Sequence, residues 1–129
     1  MKTNYKLAIA LLAGAAVGAL AMQGLHAQAK PIAYVVAEVD VTNPEGYAKE
    51  FLPLATKALK DGESGFKGVA GGKPVSIEGT APKARYAIVS YENIDKAIAA
   101  YNSPAFKEAR KIGDKYASSF RIIAVEAPQ

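Results

Sequence analysis

Ile32-Ala33-Tyr34-Val35-Val36-Ala37-Glu38-Val39-Asp40-Val41 decides how this chain folds. The stretch is dense in β-branched residues and holds neither Gly nor Pro, which is the composition of a strand. Ala33, Val35, Ala37, Val39 and Val41 alternate onto one wholly apolar face. On the other face Ile32, Tyr34 and Val36 are apolar, and Glu38 and Asp40 turn its far end acidic. A strand apolar on both faces is central in its sheet and covered on both sides.

Going outward toward the C-terminus, Thr42-Asn43-Pro44-Glu45 carries the signals of a helix start: a capping side chain at Thr42 or Asn43, Pro in the first turn, and an acid facing the positive end of the dipole. Tyr47, Phe51, Leu54, Ala55, Ala58 and Leu59 recur at helical spacing. Pro53 falls inside that stripe, removes a backbone donor and crowds the carbonyl of Lys49, which predicts a kink or a break. Asp61-Gly62 and Ser64-Gly65 stop the helix. A short strand is expected over Phe66–Ala70, then a Gly71-Gly72 turn and a short extended piece at Val75–Glu78. Arg85–Tyr91 is a second strand that is largely apolar on both faces.

Asn93 caps a helix bearing Ile94, Ala97, Ile98 and Tyr101 on one side. Ser103 and Pro104 cap and open another, with Phe106, Ala109, Gly113, Tyr116 and Ala117 as its stripe. Phe120–Val125 is the last strand. This order is the ferredoxin-like β-α-β-β-α-β pattern, an α+β fold with an antiparallel sheet and helices on one face. The opposite sheet face needs other cover, because each large apolar side chain left in water forgoes about 1.5–3 kcal/mol. A second copy packed sheet to sheet is the simplest cover, so the expected form is a homodimer.

The N-terminus reads differently. Lys2 and Lys6 stand before an unbroken run of apolar residues and Gly from Leu7 to Met22, and Ala27-Gln28-Ala29 follows. A basic start, an apolar run and an Ala-x-Ala end describe a secretory signal peptide over residues 1–29, cleaved after Ala27 or Ala29, and a periplasmic or secreted protein. The alternative is an uncleaved anchor, for which the run is slightly short of the roughly 20 residues of a span. Residues 30–129 then form one domain, with no membrane attachment once the leader is cut.

Cleavage changes the inventory. Both methionines and the one histidine, His26, leave with the leader, and the chain holds no Cys or Trp. Loss of Lys2 and Lys6 lowers the formal net charge from +4 to +2, which gives no warrant for a nucleic-acid or anionic-membrane partner. Without His or Cys there is no His- or thiolate-held zinc or haem, and no Ser-His or Cys-His nucleophile. No cofactor is expected. Ser103 is therefore read as a cap rather than a nucleophile, and Gly71-Gly72-Lys73 as a turn, since no P-loop pattern surrounds it.

The candidate chemistry returns to the opening strand. Glu38 and Asp40 face the same way, either as a carboxylate pair in a cleft suited to acid–base work or as ion-pair partners of Arg85 or Arg121. Tyr34 and Tyr86 either line a pocket on the face away from the helices or fill core and interface. Tyr34, Glu38 and Tyr86 are the candidate ligand-binding residues, and Glu38 is the candidate base. Two functions fit. One is an exported homodimer that binds a small apolar or aromatic molecule. The other is an enzyme with a carboxylate base. Beside these two stands an assembly module with no ligand.

Several segments also resemble a known family. Tyr101-Asn102-Ser103-Pro104-Ala105-Phe106 is similar to a Tyr-x-Ser-Pro-x-aromatic segment of the domain of unknown function 1330 family, within the dimeric α/β-barrel superfamily. Gly71-Gly72, Val75 to Glu78-Gly79, Arg85 opening a strand and Val125-Glu126 closing one add to it, and the resemblance runs from about Ala33 to Glu126. It implies a ferredoxin-like fold and a homodimer, and no settled activity; by analogy with the superfamily, the carboxylate-base enzyme would be a cofactor-free oxygenase- or isomerase-like one. The chain departs from the pattern at Ala70, where the family often has Arg, and at Ser90, where an acid is frequent.

Overall fold

The structure is a computed structural model that describes residues 29–61 and 65–129. The expected leader lies, but for Ala29, outside the described residues, as do Gly62 and Ser64 of the expected helix stop. Pro31–Gln129 is one compact unit. Its elements are β1 (Ala33–Val41), helix α1 in three joined pieces (Pro44–Gly46, Tyr47–Phe51 and Leu52–Lys60), β2 (Lys67–Gly72), β3 (Arg85–Tyr91), α2 (Ile94–Tyr101), α3 (Pro104–Gly113) and β4 (Ala117–Glu126). The sheet order is β2-β3-β1-β4 and every pairing is antiparallel. The expected α+β, ferredoxin-like order is present, with β1 central.

Register sorts the sheet into two faces. Tyr91–Ala33–Glu126, Val89–Val35–Ala124, Ala87–Ala37–Ile122 and Arg85–Val39–Phe120 are rows on one face. Ala33, Val35 and Val39 there are buried. Val39 packs in one cluster with Tyr47, Phe51, Ala55, Leu59, Phe106 and Ala109; Ala33 and Val35 pack with Tyr91 and Ala97. The wholly apolar face of the opening strand therefore meets the helices, where small and β-branched side chains let them approach closely.

Local capping follows the sequence. The Asn43 side chain accepts from Gly46 N–H at 3.0 Å, Asn93 from Lys96 N–H at 3.0 Å, and the Ser103 hydroxyl from Phe106 N–H at 3.2 Å. Pro53 neither breaks nor ends helix α1. The turn before it, Tyr47–Phe51, is a π-helical turn in which Leu52 N–H donates to the Tyr47 carbonyl. A widened turn gives the ring room that an α-helical turn would deny it.

Three boundaries differ from expectation. Strand β2 runs through Gly71 and Gly72, which stay in the ladder opposite Ala87 and Tyr86. Val75–Glu78 joins no sheet and lies exposed in the long β2–β3 connection. Helix α3 stops at Gly113, so Tyr116 sits in a turn and Ala117 begins β4. The Tyr116 carbonyl accepts from Thr42 N–H at 2.9 Å and Asn43 N–H at 3.2 Å, and this tertiary pairing draws the segment out of the helix.

Candidate functional site

Two surfaces of this domain offer binding chemistry, one on each side of the sheet. On the side without helices, three rows cross all four strands: Lys67–Ser90–Tyr34–Val125, Ala70–Ile88–Val36–Ile123 and Gly72–Tyr86–Glu38–Arg121. The middle row is wholly apolar. Tyr34, Ile123 and Val125 are exposed on this face. Ala70 and Ser90, the two departures from the family pattern, both lie here, so the face carries fewer charges than the resemblance would give it.

Of the three sequence candidates, the structure joins two. Glu38 and Tyr86 are direct cross-strand partners. Tyr34 lies four residues along β1, about 13 Å away at strand rise, with Ser90 and Val125 beside it. Glu38 pairs with Arg121 at 3.6 Å, and its side chain keeps 18% exposure against 70% for Arg121. Arg85 points to the opposite face and is not its partner. Asp40 pairs with Lys83 at 3.8 Å, so each carboxylate has its own cation. Partial burial and the hydrogen-bonding Glu38 carboxylate push ionisation of the Tyr86 phenol upward.

Beneath the helices lies an aromatic band that the sequence reading treated as core. Tyr91 and Tyr101 meet edge to face at 6.2 Å, and Tyr101 and Phe106 at 4.8 Å. Tyr47 contacts Phe51 at 4.9 Å and lies under the Arg85 guanidinium at 5.6 Å. Burial pushes the Tyr101 phenol up to about 12. Burial and then Tyr101 raise Tyr91 further. Burial also raises Tyr47, against the opposing pull of Arg85 and Arg110. Among the described residues, the Tyr91 hydroxyl and Arg85 Nε are buried with no hydrogen-bond partner. Such donors cost about 1–3 kcal/mol each when left unmet.

Next to this band a cleft of about 290 Å³ opens between α2, α3 and the β1–β4 side of the sheet, lined by Val35, Ala97, Ile98, Tyr101, Asn102, Phe106, Ile122 and Ala124. Its walls are apolar, with one phenol and one amide, the usual make-up of a small-molecule site. Periodicity placed Ala97, Ile98, Tyr101 and Phe106 on core stripes and gave no reason to separate cleft wall from core. The one available signal was size: Ala97 on α2 and Ala124 on β4 are small where a closed core would carry large side chains.

Among the described residues no group of three His, Cys, Asp or Glu side chains is placed to hold a metal ion, and no helix is long and apolar enough to cross a membrane.

Comparison with solved structures finds the same fold at low identity. A protein of unknown function from Rhodopseudomonas palustris superposes with TM-score 0.53 at 16% identity, over 84% of this chain and 92% of that one. A dimeric ferredoxin-like protein of unknown function from Thermobifida fusca gives 0.53 at 14%, over 76% and 92%. SnoaB, a cofactor-independent oxygenase from Streptomyces nogalater, gives 0.55 at 12%, over 78% and 96%. No curated protein matches the chain. A family model, described as Domain of unknown function (DUF1330), matches residues 32–128. That span takes in every strand and helix described above, and the chain belongs to this family.

Proposed function

We propose that this protein is an exported homodimer that binds a small apolar or aromatic molecule between sheet and helices. The observation that carries the reading is the cleft of about 290 Å³ beside Tyr101 and Phe106. Edge-to-face and stacking contacts with these rings suit a planar ligand, and the Tyr101 hydroxyl and Asn102 amide suit an oxygen on it. The geometry favours a binder over a carboxylate-base enzyme: Glu38 lies on the face of the sheet away from the cleft and is held by Arg121.

Two further parts of the proposal rest on other observations. Export, to the periplasm or medium, rests on the leader signals at residues 1–29; a mature N-terminus other than Gln28 or Lys30 would count against it. Self-association rests on the apolar row Ala70–Ile88–Val36–Ile123, and the fold neighbour from Thermobifida fusca is itself dimeric.

Chemical-shift mapping tests the cleft. Titration with phenol, naphthol and indole is expected to move the resonances of Val35, Ala97, Tyr101 and Ile122 together, and Ala124→Phe is expected to abolish the response while the rest of the spectrum stays native. Shifts confined to the open sheet face, or none with any of the three, would sink the reading.

A further inference from the structure

The connection from β2 to β3 carries the least covered apolar side chains among the described residues. Ile77 is 100% exposed and Val75 85%. Between Pro74 and Ile77 there is no charge to keep the segment in water. Single exposed apolar side chains are ordinary, but two at extended spacing on one projecting segment are a patch. The ends of the segment are geometrically set. Gly72 has φ +124 and Gly79 φ +87, conformations that L side chains rarely adopt, and Pro74 stiffens the exit from β2. The Ser76 hydroxyl also bonds the Glu78 carbonyl at 3.4 Å.

The segment leaves the sheet at the row Gly72–Tyr86–Glu38–Arg121, so it stands at the rim of the open face. At its root is a groove of about 180 Å³ lined by Ala70, Gly71, Gly72, Lys73, Pro74, Tyr86 and Ile88. Gly72 leaves open space where a Cβ would stand. Lys73 and the Tyr86 hydroxyl are the polar groups of this groove, and the apolar Val75 and Ile77 lie next to it on the same chain.

We propose that Lys73–Glu78 is an exchanged arm: in the homodimer, Val75 and Ile77 of each copy cover the Tyr86–Ile88 side of the open sheet face of the other. This inference rests on the homodimer reading and adds to it the segment that does the clasping. A second copy is the occupant because a two-fold pairing of one chain with itself buries both arms and both grooves in one event. Pro74 removes one backbone donor at the edge of the sheet, which disfavours extension of a partner's ladder, and the arm docks through its side chains.

The test uses protein produced from the full coding sequence and its freedom from cysteine. Wild-type protein is expected to be a dimer by light scattering. The double substitution Val75→Asp, Ile77→Asp is expected to weaken dimerisation by about 100-fold or more, given the apolar area withdrawn, with an unchanged circular-dichroism spectrum. As a second measurement, a mixture of Ile77→Cys and Ile88→Cys chains is expected to form the mixed disulfide in preference to either chain with itself. A wild-type dimer that the Asp substitutions leave intact, or that gives no mixed disulfide, overturns the arm and leaves the dimer standing. A wild-type monomer overturns both.

Discussion

Replacing Gly113 by Ala should destabilise this protein, although it puts a better helix former into a helix. Gly113 is the last residue of α3, buried, and without a positive φ. By propensity alone the change gains up to about 1 kcal/mol. A Cβ there would stand 2.8 and 2.9 Å from the Phe51 ring and 3.0 Å from that of Phe120. Neither ring is free to retreat. Phe51 is boxed by Tyr47 at 4.9 Å and Phe120 at 5.5 Å, and Phe120 is backed by the Arg110 guanidinium at 3.4 Å. Because neither ring can retreat, the cost falls in the upper half of the about 1–3 kcal/mol range of overpacking, leaving a net loss of about 1–2 kcal/mol. For a domain of this size that lowers the melting temperature by roughly 4–16 °C. Urea and thermal unfolding followed by circular dichroism measure it. The same change in a Phe51→Leu background, where the blocking ring is gone, should be neutral or mildly stabilising, a coupling of about 1–2 kcal/mol. Gly113→Ala that stabilises the wild type, or that costs the same in both backgrounds, refutes the packing argument.

Three other outcomes follow from the same structure. Ser103→Ala should cost about 1 kcal/mol in urea unfolding while Ser103→Asp restores it, because the hydroxyl caps Phe106 N–H; an unchanged midpoint for Ser103→Ala would refute the cap. Tyr101 ionises only near 12 in the fold against 10.0 for the free phenol, so its contribution to stability is complete below about pH 10 and is lost as pH rises toward 12. Phenolate absorbance should therefore lag behind that of free tyrosine until ellipticity is lost, and full ionisation with native ellipticity would contradict it. Arg121→Gln should change stability by less than about 1 kcal/mol, and less still in high salt, since the pair with Glu38 is exposed on the arginine side; a loss above about 2 kcal/mol in monomeric protein would contradict that.

Much of the fold was legible in the sequence because its signals are local. The alternation of Ile32–Val41, the caps at Asn43, Asn93 and Ser103, and the unbroken Arg85–Tyr91 run each act within a few residues, and each element stands where those residues put it. The same residues carry the resemblance to the DUF1330 family, whose model spans residues 32–128. Expectation and structure part where a distant partner outweighs a local preference. Gly71 and Gly72 are turn formers, yet the β3 ladder holds them as strand. Tyr116 continues a helical stripe, yet its carbonyl is claimed by Thr42 and Asn43. Pro53 predicts a kink or a break in α1; the helix continues through it, with a π turn that makes room for its ring.

The candidate site divides the same way. The sequence by itself determined that Glu38 and Asp40 share a face, that Glu38 had an arginine within prospect, and that residues 30–129 hold neither His nor Cys. Only the tertiary structure decided that Arg121 rather than Arg85 is the partner, since that depends on which strands flank β1 and in what register. It alone decided that Tyr34 stands apart from Glu38 and Tyr86, and that Tyr101 and Phe106, besides packing in the core, wall a cleft. Apolar periodicity states that a side chain leaves water. Whether it meets a neighbour or an opening depends on the size of residues that lie far away in the chain, here Ala97 and Ala124.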